Sequence, residues 1–362
     1  MTITILVILL GLLLLIAAFA LVRMMLFSRG SSTDSGIFSS PVPAFSVDPQ
    51  KVAEHLSAAI KIDTISHEDV ALDDTSKFKV LHSLLARQYP LTHAALKKEL
   101  IDGFSLLYTW KGSNEALDPI VLMAHQDVVP ADEHTLSQWT HAPFSGDIAD
   151  GFIWGRGALD IKCQMIGVFE AVEHLLYNNY QPERTVMLAF GHNEEVLGSG
   201  AKMIVAHLKA KGIHVQSVLD EGGSIYDGIL PGVDGLAAAI GVSEKGYLSL
   251  KLQVQAKGGH SSTPSDSNAI AILSQAIVRL QKHPFPLKPR ALVPMFKGLG
   301  AAASPLMQLA FSNLWLFGGV IKAKLKNNPE AMASIRTTTA PTIVKGGVKD
   351  NVLPSQARAV VN

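Results

Sequence analysis

The chain has 362 residues, with 31 Lys plus Arg balanced by 31 Asp plus Glu, and 48% of it is hydrophobic. That length accommodates two domains with substantial cores, and the neutral balance gives no electrostatic surplus for nucleic acid, which excludes a nucleic-acid-binding module. The single cysteine, Cys163, excludes an internal disulfide framework.

Residues 3–27, ITILVILLGLLLLIAAFALVRMMLF, are interrupted only by Arg23 and are long enough to cross a hydrocarbon core of about 30 Å. Residues 1–27 are therefore a transmembrane anchor or a signal segment. The length of the run and the lack of Lys or Arg ahead of it favour an uncleaved anchor, whereas Ala18-Phe19-Ala20 resembles a cleavage site. Arg23 and Arg29 would hold the following side in the cytoplasm by the positive-inside tendency. An extracytoplasmic catalytic part (periplasmic, luminal or extracellular) is expected nonetheless, so the side stays open. Residues 28–46, rich in Ser, Gly and Pro, form a linker.

A helix is expected over residues 48–62, where Val52, Leu56, Ala59 and Ile60 share a face. Residues 120–124 and 185–190 are short apolar runs typical of strands buried on both faces, and 215–219 is a third. Helix patterns at 161–178 and 196–211 lie between them, which predicts a mostly parallel sheet flanked by helices in a first domain over 47–243. In YLSLKLQVQA, Leu248, Leu250, Leu252, Val254 and Ala256 alternate with polar neighbours, the pattern of a strand covered on one face. A smaller α+β domain over 244–362 is expected to begin there. It carries a helix near 268–281, an apolar insertion over 284–333 and a closing strand in ARAVVN.

Acidic groups gather where the expected strands end. His125 and Asp127 follow the first run and point the same way, so Asp127 can hold one imidazole nitrogen while the other faces a metal. GFIWGRGALDIK delivers Asp160 just before a helix, FGHNEE places Glu194 and Glu195 after the second strand, and SVLDEGG places Asp220 and Glu221 after the third. Adjacent carboxylates in a crevice are costly unless a cation neutralises them, and His plus carboxylate sets suit hard or borderline metals.

The order His125-x-Asp127, Trp139, Gly155-Arg156-Gly157, Asp160, Lys162, Glu194-Glu195 and Asp220-Glu221-Gly222 resembles the di-zinc aminoacylase and carboxypeptidase family of metallopeptidases. The likeness runs from about residue 48 to the end. VSEKG at 242–246, GGHSSTP at 258–264, NLWLF at 313–317 and IRTTTAPTIVKGGVKDNVLP at 335–354 make it most similar to the branch of carboxypeptidase S and the secreted N-fatty-acyl-amino-acid synthase/hydrolase. The resemblance implies two zinc ions, with His125 and Asp220 on one, Glu195 on the other and Asp160 bridging them. It implies Glu194 as general base, Asp127 as the carboxylate behind His125, and His260 as oxyanion stabiliser, often for a partner subunit's centre in homodimeric relatives. Arg336 and Asn351 would hold a substrate carboxylate. The implied reaction is hydrolysis of an amide bond next to a free carboxylate, in a small peptide or an N-acyl amino acid. The 284–333 insertion would line an acyl-chain site or pack as core.

Cys163, His141 and His192 match no ligand position, and the Gly-Arg-Gly turn lacks a nucleotide-binding pattern. The family's remaining zinc ligand, a histidine in a segment returning to the larger domain, is not found before Asn362, so a lid domain incomplete at that end and an inactive short chain are expected. An alternative class is a non-catalytic relative that keeps the fold as an interaction or dimerisation module. Glu194 separates the two, because a binding module needs no general base.

Overall fold

The structure is a computed structural model and describes residues 2–30, 46–228, 236–241, 245–264, 267–288, 292–300, 302–326 and 329–362. Most of the expected linker and the 243/244 boundary lie outside these residues. The apolar N-terminal run forms one helix, α1 (Thr2–Gly30), which takes in the first residues assigned to the linker. The chain divides into two compact units, Val42–Gly222 and Met1–Pro41 with Gly223–Asn362.

The Val42–Gly222 unit opens with α2 (Pro49–Ile60), whose first N–H groups are capped by the Asp48 carboxylate. Then come α3 (Thr75–Gln88), α4 (Pro90–Ala95) and a hairpin of β1 (Lys97–Ile101) and β2 (Ser105–Trp110). β3 (Ile120–His125) is followed by the short pair β4 (Ile148–Ala149) and β5 (Phe152–Ile153), then α5 (Lys162–Tyr177), β6 (Val186–Gly191), α6 (Gly200–Ala210) and β7 (Ser217–Leu219). The sheet order is β1-β2-β6-β3-β7. β3 is parallel to both β6 and β7, as the three apolar runs predict, while β1 and β2 join antiparallel, so the sheet is mixed.

Alternation along the strands sends Leu106, Tyr108, Leu188 and Phe190 to the α2 and α5 side, and Leu107, Met187 and Ala189 to the α6 side against Ile204 and Leu208. Phe169 of α5 anchors the first face: its ring stacks on Tyr89 at 4.9 Å and on Phe190 at 5.2 Å, and meets Tyr108 edge-on at 5.5 Å.

The Gly223–Asn362 part starts with β8 (Ser224–Asp227) and β9 (Leu236–Ala239), then β10 (Leu250–Gln255), β11 (Gly259–His260) and α7 (Ala269–Lys282). The apolar insertion folds as α8 (Val293–Leu299), α9 (Pro305–Ser312), α10 (Leu314–Leu325) and α11 (Pro329–Ser334). β12 (Pro341–Gly346), β13 (Val352–Leu353) and β14 (Gln356–Val361) close the chain. β10, β14 and β12 form an antiparallel sheet. α7 covers one face of it, with Leu273 against Leu252, Val254, Ala357 and Ala359. Leu248 and Leu250 are exposed, so the covered face begins only at Leu252. In the insertion Phe296 and Phe311 stack at 4.0 Å within a core that includes Met295, Met307 and Leu314, so these residues serve packing. Leu306, Trp315 and Leu316 do not; they face outward.

Phe169→Ala removes the ring on which three aromatic neighbours converge. It is expected to cost about 3–5 kcal/mol, measured by urea unfolding of the variant beside the parent chain.

Candidate metal centre

The three parallel strands end at one rim. β3 ends on His125, β6 leads into Glu194 and Glu195, and β7 leads into Asp220 and Glu221. Because β3 lies between β6 and β7, the imidazole stands between the two acidic pairs. Asp160, whose peptide bond to Ile161 is cis, reaches the same rim from the turn before α5.

Asp127 holds the arrangement from behind. Its fully buried carboxylate accepts the N–H of Glu194 at 3.0 Å on one oxygen, and the N–H of Glu195 at 3.1 Å and the Ser66 hydroxyl at 2.6 Å on the other. His125 Nδ1 lies 2.9 Å from the Asp127 carbonyl oxygen and 3.4 Å from its carboxylate. Nδ1 therefore carries a proton, and Nε2 is the atom presented to the rim. Sequence reasoning missed Ser66; a lone serine 61 positions upstream carries no local signal.

Around His125 Nε2 stand Asp160 at 3.1 Å, Glu221 at 3.6 Å and Glu194 at 3.8 Å. One donor atom each from His125, Asp160 and Glu221 lies within 4.8 Å of the others, a nitrogen-and-oxygen set that fits a divalent cation such as zinc. Glu195 and Asp220, both expected as ligands, are outside this group. Asp220 is exposed, and its neighbour Glu221 faces inward instead. β7 ends at Leu219, and the course of the chain beyond it brings Glu221, not Asp220, to 3.6 Å from His125 Nε2.

Electrostatics also favour a cation here. Burial disfavours charge on His125, but the Asp127 carboxylate and the nearby Glu221 and Glu194 outweigh it and push its pKa up to about 10. Burial, with Asp160, Glu194 and Asp220 close by, raises Glu221 to about 7 despite His125. Burial raises Glu194 too, with His125 opposing and Asp127 and Asp160 adding to the rise. Burial and then Asp160 raise Glu195. Crowded carboxylates of this kind are relieved by a bound cation.

The other histidines near the motifs have structural partners. His192 Nδ1 meets the Ser105 hydroxyl at 2.7 Å, with the ring edge-on to both Phe78 and Phe104. His141 pairs with Asp147 at 2.8 Å and tilts onto Trp154. The Cys163 thiol donates to the Leu159 carbonyl. Lys162 is buried and donates to the Ala59 and Ile62 carbonyls, and burial lowers its pKa to about 7.

In the other unit, β11 pairs with β13, and the Ser261 N–H donates to the Asn351 carbonyl, so His260 and Asn351 are neighbours. His260 Nδ1 accepts the Ser262 N–H at 3.2 Å, which leaves Nε2–H as the free donor of its exposed ring. Among the described residues, Arg336 Nε and the Asn351 side-chain oxygen are buried without a hydrogen-bond partner.

Residues 121–303 match peptidase family M20/M25/M40. Over 86% of its length the chain is 38% identical to the N-fatty-acyl-amino acid synthase/hydrolase PM20D1.1 of Danio rerio. Over 85% it is 35% identical to carboxypeptidase S of Saccharomyces cerevisiae. The chain belongs to the M20 peptidase family. It spans 61% and 56% of the length of these two relatives. An M20 metallo-carboxypeptidase of Sulfolobus solfataricus shares the fold, with a TM-score of 0.57 at 20% identity over 87% of this chain and 70% of that one.

Metal uptake by this M20 site must displace protons. His125, with its pKa pushed to about 10, is protonated at pH 7, and Glu221, at about 7, is half protonated, so more than one proton should leave per ion. Affinity is expected to rise with pH up to about 10, and zinc calorimetry in two buffers of different ionisation heat counts the protons. Asp127→Asn, which weakens the hold on His125, should lower zinc affinity about 10–100-fold in the same titration.

Proposed function

We propose that this protein is a zinc-dependent hydrolase of an amide bond adjacent to a free carboxylate. The observation that carries it is the double grip of Asp127 on the Glu194 and Glu195 N–H groups, which sets a carboxylate of raised pKa 3.8 Å from His125 Nε2. One zinc ion is assigned to His125, Asp160 and Glu221, with Glu221 in the role the resemblance gives to Asp220. A second ion would be held by Glu195, with Asp160 available to it as the resemblance implies. Bound zinc supplies Lewis acidity and lowers the pKa of water at the site toward about 7.

The chain's own groups do the rest. Glu194 takes a proton from the attacking water and passes it to the leaving nitrogen, a role that suits a carboxylate whose pKa is raised toward neutrality. His260, with Nε2–H free, is assigned the oxyanion role that the resemblance gives it, for this chain's centre or a partner subunit's. The unpartnered Arg336 Nε and Asn351 oxygen support a site awaiting polar ligand groups, with Arg336 on the substrate carboxylate and Asn351 orienting the neighbouring amide.

Substrates are small peptides or N-acyl amino acids, as the names of the relatives suggest. α1 stays in the mature protein as a membrane anchor, with the catalytic unit extracytoplasmic. The exposed edge strand β12 supports a homodimer through the β10, β14 and β12 sheet.

Glu194→Gln should lower kcat by roughly two to four orders of magnitude with bound zinc unchanged. Asp160→Ala should empty the site. Zinc content by elemental analysis separates Glu221→Ala, expected to lose an ion, from Asp220→Ala, expected to keep it; the reverse result returns the ligand role to Asp220. In an N-acyl series, kcat/KM rising with chain length, by up to about 0.8 kcal/mol per methylene, identifies an N-fatty-acyl substrate. A flat series identifies a peptide.

A further inference from the structure

The C-terminal third of α1 is built into the helical insertion. Ala20 is only 4% exposed, and its carbonyl accepts the Asn313 side-chain N–H at 3.0 Å. Arg23 Nε donates to the Ser312 carbonyl at 3.1 Å, and its guanidinium lies over Phe19, whose ring meets Trp315. Phe27 packs on the Leu292, Phe296 and Phe311 core. The Ala20, Arg23 and Phe19 contacts converge on the corner between α9 and α10.

That corner has the chemistry of a site in hydrocarbon. α9 and α10 together are apolar enough to form a span, but they bend by 109° at Asn313, so the pair does not run straight through a bilayer. The polar groups at the bend are satisfied internally. Besides Ala20, the Asn313 amide serves the Leu309 carbonyl, and its oxygen accepts Trp315 Nε1–H at 3.0 Å. Outward from the corner, Leu306 is 72% exposed, Val320 59%, Trp315 53% and Leu316 46%, a large apolar face for a water-facing surface. Exposed Lys322 and Lys326 follow near the end of α10, where they suit phosphate headgroups. Ala20 lies seven residues before the end of the apolar run Ile3–Phe27, which places the corner about 10 Å inside that end at 1.5 Å per residue. Trp315 is thus near the interfacial depth that tryptophan favours.

We propose that α9 and α10 are embedded beside α1 in one leaflet of a phospholipid bilayer, so that this unit is seated in the membrane by three helices and not tethered by one. The proposal rests on α1 being a retained anchor. α1 fixes the occupant of the apolar face, because whatever solvates its exposed residues also bathes the helices bonded to its end.

The test uses the full chain with Cys163, its lone cysteine, replaced by Ala. Single cysteines at Leu10, Leu306, Leu316 and the exposed Tyr177 carry nitroxide labels, in vesicles of phosphatidylcholine and phosphatidylglycerol. Collision with oxygen, which partitions into lipid, is compared with collision with a water-soluble nickel chelate. Oxygen should dominate at Leu10, Leu306 and Leu316, and nickel at Tyr177. Nickel dominating at Leu306 and Leu316 while oxygen dominates at Leu10 overturns the proposal and leaves the anchor intact. Nickel dominating at Leu10 overturns the anchor itself and the proposal with it. Shielding of Leu306 and Leu316 from both reagents shows a second protein copy on the face, and also overturns it.

Discussion

Burial of one carboxylate organises the Val42–Gly222 unit. Asp127 has no contact with solvent, so each of its oxygens must be satisfied within the protein. The donors come from Ser66, from the Glu194 and Glu195 backbone, and from His125 beside it. The demand for buried hydrogen bonds therefore ties together segments 61 to 68 residues apart in sequence. Once both oxygens are engaged, Asp127 is not free to act as a ligand itself. It acts through the groups it positions.

The backbone around Asp127 is fitted to the same end. Ile65 bridges Val128 in parallel, and Val128 N–H donates to the Thr64 carbonyl, which extends the pairing beyond β3. The Gly-Arg-Gly turn passes so close that a Cβ on Gly157 would lie 2.6 Å from a Val128 methyl, and Gly157 adopts a φ of +81° that side chains rarely take. That close approach brings the chain to Asp160 at the rim. The glycines of the motif serve this passage.

The parts of this architecture legible in the sequence were those with a repeating or concentrated signal. The β3 and β6 runs, the α2 and α7 faces and the acids at the strand ends stand out because burial on both faces, helical period and like-charge crowding each leave a compositional mark. The β1–β2 hairpin left a mark that the expected elements omit: Asp102-Gly103, both at positive φ, stand ahead of the apolar run of β2, although Lys97, Lys98 and Glu99 make β1 a charged edge strand. Which of Asp220 and Glu221 stands nearer His125 was beyond the sequence, because it depends on how the chain turns after Leu219 and not on residue type. Likewise the apolar 284–333 stretch reads as uniform, whereas the fold separates it into the Phe296–Phe311 core and an outward face around Trp315.

The bond between Arg23 and Ser312 joins residues 289 positions apart, which makes it a matter of timing during synthesis. At about 5–20 residues per second, a ribosome needs roughly 15 to 60 s to travel from one partner to the other. Throughout that interval the Ala20, Arg23 and Phe27 stripe of α1 exists without the helices that later cover it. Every strand of the β1-β2-β6-β3-β7 sheet is meanwhile made, so the Val42–Gly222 unit has its whole core in hand before the α1 docking surface arrives. The order of translation thus makes α1, synthesised before the whole sheet, one of the last elements to find its native neighbours.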